Sequence, residues 1–117
     1  MALAVGLGAY SAHAARGAVH PDAARLLQIA VLYHLVHGIG IIVAGVLARG
    51  APSRWLGAAG GLHLAGIALF CGSLWYLALT GHSAGMAAPL GGMAFMGGWL
   101  ALAGGAIFRS GFPPARE

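Results

Sequence analysis

Residues 55–108 read WLGAAGGLHLAGIALFCGSLWYLALTGHSAGMAAPLGGMAFMGGWLALAGGAIF and contain no Lys, Arg, Asp or Glu. One membrane crossing needs about 20 apolar residues to traverse roughly 30 Å of hydrocarbon, so this stretch fits two crossings joined by a turn. Charged residues make up only 7% of the whole chain, whereas a soluble domain carries about 25%. The sequence therefore predicts an integral membrane protein.

The whole chain, residues 1–117, is predicted to form a single transmembrane domain: an all-α, antiparallel up-down four-helix bundle. Ser53 is a candidate N-cap for the third helix, and Pro89 suits the first turn of the fourth. The first helix would rise only about 22 Å. It is interpreted as a retained helix because no basic residue precedes it, as a signal peptide would require. The predicted helices span about 1–15, 23–48, 53–80 and 89–108.

The positive charge comes from arginines alone, and these arginines lie at the ends of apolar runs rather than on one face. That distribution is typical of the flanks of membrane helices and argues against a nucleic-acid partner. With four crossings, four arginines share one side with both termini and two lie opposite, which predicts cytoplasmic termini. The four are Arg49, Arg54, Arg109 and Arg116, and the two are Arg16 and Arg25.

Small residues follow one face of the fourth predicted helix at spacings of three and four, and the third predicted helix carries a similar line. Helices in lipid associate through close contacts between small residues, so we expect the two lines to pack together. The alternative is a chain that is merely rich in glycine, with 21 in all. The predicted packing residues are Gly57, Gly61, Ala65 and Gly72, with Ala68 in line, and Gly91, Ala94, Gly98, Ala101 and Gly105.

Histidines inside the predicted spans are candidate functional groups, because polar groups are costly in a membrane. His34 and His37 lie on roughly one face of the second helix. His37 and His63 lie about 15 and 10 Å deep, so they could meet between neighbouring helices. Three interpretations stay open: hydrogen bonds that specify packing, ligation of haem, and a proton-handling or quinone-contacting site. His13 and His37 are expected to be buried polar side chains.

Four stretches resemble a known family. They are GLGAYSAH at 6–13, IAVLYHLVH at 29–37, GIALFCGSLWYLALTG at 66–81 and PLGGMAFMGGW at 89–99. They are similar to the domain of unknown function 423 family, small four-helix proteins of the bacterial inner membrane with a eukaryotic transmembrane relative. The family pattern has histidine at the positions of His13 and His37, usually glutamine at that of His34, and no recognised block at His63. Family members look longer at the front. The resemblance implies a four-helix membrane architecture and does not imply an activity.

These observations predict a non-catalytic membrane protein, a structural or accessory subunit of a larger and plausibly energy-transducing complex in the bacterial inner membrane. The expected partners are membrane lipids and other membrane protein subunits, with no nucleic acid, no metal and no cofactor. One alternative is a haem- or quinone-binding protein that uses His37 with His34 or His63. A second is a small-solute channel or transporter, although no Asp or Glu lies inside any predicted span.

Overall fold

Four helices joined by short connections form the computed structural model, which describes residues 1–17 and 20–108. Helix α1 spans Ala2–Ala14 and is followed by a 3₁₀ turn, Ala15–Gly17. Helix α2 spans Ala23–Gly50, α3 spans Arg54–Thr80 and α4 spans Ala87–Phe108. Arg109 and Arg116, which contributed to the predicted orientation, lie outside the described residues.

Three of the described helices, α2, α3 and α4, are long and apolar enough to cross a membrane. Even α4, the shortest of these with 22 residues, rises about 33 Å at 1.5 Å per residue. With 13 residues, α1 rises only about 20 Å. It lies along the first half of α2, because Gly8 faces Val31 and Gly38 faces Met1.

Local sequence signals define the ends of α3. The Ser53 side chain accepts a hydrogen bond from the Trp55 N–H at 3.2 Å, which confirms Ser53 as the N-cap. At the other end Gly81 has φ 73°, a left-handed conformation that favours glycine. Its N–H donates to the carbonyl of Leu77 at 2.9 Å, which closes the helix.

Helix α3 contains one irregular turn, a π-helical segment at Ile67–Cys71 between α-helical Arg54–Gly66 and Gly72–Thr80. Short π-helical turns within α-helices occur often at functional sites. This one faces α4, where a side chain at Gly91 would collide with the Phe70 backbone. The turn therefore lies where the backbones of the two helices approach closely.

Buried apolar residues form three small groups along the bundle rather than one thick core, and many of them are alanines. Small side chains allow helix backbones to approach closely where lipid supplies no hydrophobic drive. The groups are Ala44, Leu56, Ala59, Ala101 and Leu102; then Ala30, Cys71 and Phe95; and then Ala23, Leu27 and Ala78.

Helices α3 and α4 meet through large side chains set against glycines. Added Cβ atoms at Gly105 and Gly98 would lie 2.6 Å from Leu56 and 2.8 Å from His63, and one at Gly91 would collide with Phe70. On α3 these partners lie at positions 56, 63 and 70, while on α4 they lie at 105, 98 and 91. The residue numbers of the contacts therefore decrease by seven on α4 as they increase by seven on α3.

The predicted packing line on α3 is wrong. Gly57, Gly61, Ala65 and Gly72 are exposed, and a Cβ added at any of these glycines would meet nothing within 4 Å. The physical reason is that α4 glycines leave deep hollows, which large side chains fill better than small ones. The inward face of α3 therefore carries Leu56 and His63 in these hollows, and the small residues Ala59 and Gly66 are buried beside them.

Candidate functional site

His37 lies in the middle of α2 and is held by its own helix. Its Nδ1 lies 2.8 Å from the carbonyl oxygen of Tyr33, one turn earlier. A carbonyl can only accept, so Nδ1 donates and the ring is fixed along the helix. Only 6% of the side chain is exposed. Placement one turn after Tyr33 thus gives a buried imidazole a defined orientation.

His63 lies opposite on α3 and is completely buried. Glycines flank its ring on two helices: a Cβ at Gly40 of α2 would lie 2.7 Å from Nε2, and one at Gly98 of α4 would lie 2.8 Å from Nδ1. Among the described residues neither ring nitrogen has a hydrogen-bond partner, and both are sealed from the surface. A buried polar group without a partner costs about 1–3 kcal/mol, so His63 calls for a specific explanation.

The two imidazoles belong to one cluster of rings between α2, α3 and α4. The ring centroids of His37 and His63 lie 5.4 Å apart, as their predicted depths suggested. Phe95 stacks on His37 with centroids 3.5 Å apart, and Trp99 and His63 form a T-shaped pair with centroids 4.8 Å apart. We call this group the ring cluster, and it comprises Tyr33, His37, His63, Phe70, Phe95 and Trp99.

The π-helical turn of α3 brings Phe70 to the ring cluster. Phe70 stacks on Tyr33 with centroids 4.7 Å apart and meets Phe95 edge-on at 5.7 Å. On α4, Phe95 occupies the space where Gly66 would otherwise carry a side chain. Gly66 of α3 thus receives the Phe95 ring of α4, while Gly91 of α4 lies against the backbone of Phe70 and lets the π-helical turn approach closely.

The other predicted histidines lie outside this cluster. His34 is half-buried and makes no ring contact with it in the described chain. The reason is geometric: residues three apart on a helix differ by about 60° in direction, so His37 faces α3 and α4 while His34 does not. His13 is exposed, which corrects the expectation of a buried polar side chain, because α1 contacts α2 along only one face.

Metal and haem chemistry can be tested against this geometry. Among residues 1–17 and 20–108, no three His, Cys, Asp or Glu side chains converge to hold a metal ion. A haem ligated by two histidines would need its porphyrin plane between them. The ring centroids of His37 and His63 lie only 5.4 Å apart, Phe95 stacks on His37 at 3.5 Å, and glycines of two helices enclose His63, so no space for a porphyrin lies between the two rings. This geometry does not fit a haem.

Sequence reasoning did not anticipate Gly40, Phe95 or Trp99 as members of the site or its walls. The Trp99 ring lies 4.8 Å from His63, although 40% of the residue is exposed. A signal was available: Leu56, His63 and Phe70 repeat every seven residues, as do the α4 glycines opposite them. Matched repeats of large and absent side chains indicate two interlocking helix faces.

Comparison with known proteins finds relatives of this chain by sequence. The family model described as "Protein of unknown function (DUF423)" matches residues 7–92, which include both cluster histidines. A UPF0382 membrane protein of Staphylococcus haemolyticus is 39% identical over 101 residues, covering 86% of this chain and 82% of the relative. The UPF0382 membrane protein YwdK of Bacillus subtilis is 39% identical over 109 residues, covering 90% and 87%. No solved structure matches this chain.

Proposed function

Because the chain belongs to the DUF423 family of membrane proteins, we propose that it is a non-catalytic accessory subunit, built as an antiparallel four-helix bundle, of a larger complex in the bacterial inner membrane. The observation that carries the proposal is a line of small residues on α3 that the bundle itself leaves uncovered. We call this line the α3 outer face, and it comprises Gly57, Gly61, Ala65, Ala68 and Gly72.

The α3 outer face has the geometry of a helix-docking surface. Its members recur at spacings of four, four, three and four, so they share one side of the helix. All five are exposed, and the Cβ positions of its three glycines are open. Small residues four apart let two backbones approach closely in lipid, where packing and not hydrophobicity drives association. A partner helix would fill a shallow furrow that lipid chains fill poorly.

A subunit role also agrees with how little of the described chain lies outside helices. Only residues 51–53 separate α2 from α3, and only residues 81–86 separate α3 from α4. Connections of this length offer no platform for a catalytic loop. The chain has two acidic residues, Asp22 and Glu117, and neither lies within α2, α3 or α4.

A channel is less well supported. Ser73 donates to the carbonyl of Phe70 at 2.8 Å, and Thr80 donates to that of Tyr76 at 2.7 Å. These hydroxyls are satisfied by their own helix, as is usual for Ser and Thr in helices. The two cluster histidines lie among aromatic rings and line no continuous polar path among the described residues.

Site-directed cross-linking in native membranes tests the proposal. In a Cys71→Ala background, Gly61→Cys places one thiol on the α3 outer face, and Gly45→Cys places one on exposed α2 as a matched control. Both positions have open Cβ space. We expect Gly61→Cys to form a discrete adduct with another membrane protein, and Gly45→Cys to form none. A thiol at residue 61 that yields only monomer, or only a dimer of this chain, would contradict an accessory role.

A further inference from the structure

A groove on the lipid side of α2 reaches the ring cluster at His37. It encloses about 320 Å³ and is lined by Leu32, Tyr33, Val36 and His37. Leu32, Tyr33 and Val36 are exposed at its walls. Because α2 spans Ala23–Gly50, these residues lie near the middle of the hydrocarbon, where the groove opens to lipid-soluble molecules. A ligand here would enter sideways from the bilayer.

Two polar side chains line this groove, Tyr33 and His37, and the free ring nitrogen of His37 is an acceptor. His37 Nδ1 donates to the Tyr33 carbonyl, and the neutral ring, which hydrocarbon favours, leaves Nε2 with a lone pair. No hydrogen-bond partner for Nε2 lies among the described residues, and it is not among the sealed nitrogens, which both belong to His63. An O–H group suits this atom, whereas a carbonyl oxygen does not.

The groove also presents an aromatic wall. The Tyr33 ring lies over Phe70 at 4.7 Å and stands 5.6 Å from the His37 ring. Phe95, stacked at 3.5 Å, holds His37 from behind. Preordered rings bind a further aromatic group at little cost in side-chain entropy. Leu32 and Val36 supply the apolar remainder of the lining.

None of the described residues that line the groove carries a formal charge when His37 is neutral. The charged side chains of α2 are Arg25 and Arg49, each twelve residues from His37, or about 18 Å along the helix. The ligand that fits is therefore neutral, aromatic, hydroxylated and carried on an apolar tail. We propose that the His37 groove binds the headgroup of a quinol dissolved in the bilayer, with a ring hydroxyl donating to His37 Nε2.

Titration of the protein in lipid nanodiscs tests this proposal. The probes are decylubiquinol and decylubiquinone, which differ only in hydroxyl against carbonyl oxygens, and binding is followed by quenching of tryptophan emission. Trp99 lies 5.9 Å from His37 and reports the site. We expect the quinol to bind about tenfold more tightly, as one neutral hydrogen bond implies. Equal affinity for the two oxidation states would overturn the proposal.

Two pairs of measurements locate the binding and its chemistry. Val36→Phe should fill the groove and abolish quenching, while Ile39→Phe, also on the exposed side of α2, should leave it intact. His37→Leu should remove the preference for quinol, and thermal unfolding in the same nanodiscs checks that the variant is folded. Quenching that survives Val36→Phe, or farnesol that competes as well as quinol, would overturn the assignment, since farnesol has a hydroxyl without the aromatic ring.

Discussion

His63 of α3 fills the space beside Gly98 of α4 so closely that a Cβ added at residue 98 would lie 2.8 Å from the imidazole. Gly105 stands in the same relation to the Leu56 side chain, and Gly91 lies against the backbone and Cβ of Phe70. Absent side chains on one helix and large side chains on the other thus interlock at intervals of two turns. Gly98 and Gly105 of α4 leave the space that the His63 and Leu56 side chains of α3 occupy.

Gly98→Ala should destabilise the bundle, because the new methyl group would force His63 out of its position. Overpacking of this kind costs about 1–3 kcal/mol. The measurement is the free energy of unfolding in mixed micelles titrated with denaturing detergent. Gly92→Ala is the matched control on the same helix, since a Cβ there meets nothing within 4 Å. The control should be neutral or stabilising by up to about 1 kcal/mol, and equal losses at both positions would refute the interlocking.

Local sequence rules predicted where the helices begin and end. They did not predict which face of α3 packs against α4. Ser53 as N-cap and Pro89 in a first turn follow from local chemistry, which neighbouring helices do not alter. Which face of α3 packs depends on the shape of α4, and small residues lie on both sides of α3. A line such as Gly57–Gly61 suits contact with any helix, so its position in the sequence cannot distinguish an internal contact from an outer surface.

The histidine pair illustrates the same limit. Depth counted from the helix ends brought His37 and His63 to similar levels, and the structure places their rings 5.4 Å apart. The depth of a residue along a helix does not say which face of the helix its side chain occupies, however. His34 lies one turn from His37 and faces away from the cluster. Contacts of Phe95 and Trp99 with these rings depend on the register between α2 and α4, which no residue in either helix specifies alone.

His63→Leu should leave stability within about 1 kcal/mol of the wild type or raise it. Both ring nitrogens are buried without a protein partner, and replacing such groups by apolar ones of similar size removes their desolvation cost. His63→Ala should cost about 2–5 kcal/mol, because it opens a cavity between Gly40 and Gly98. Detergent-denaturation curves of the two variants measure this difference. If leucine cost as much as alanine, the nitrogens would have a buried partner such as water.

Ser53→Ala should loosen the start of α3 by about 0.5–2 kcal/mol, since it removes the oxygen that accepts from the Trp55 N–H. Hydrogen exchange of the first-turn amides measures the effect directly, and exchange at the Trp55 amide should accelerate most. Ser53→Asp is the control, because a carboxylate can accept the same bond. Equal exchange in the alanine and aspartate variants would mean that the cap contributes nothing.

Phe95 and Gly66 should show strong energetic coupling, since the Phe95 ring occupies the Cβ position of Gly66. Phe95→Ala should cost about 3–5 kcal/mol through the cavity left beside His37. Gly66→Ala should be destabilising in the wild type and harmless or stabilising once Phe95 is alanine, because its methyl group then enters the vacated space. A double-mutant cycle on unfolding free energies measures this change of sign, which independent positions would not give. Phe108→Ala, at an exposed ring, is the control for loss of an aromatic side chain from α4.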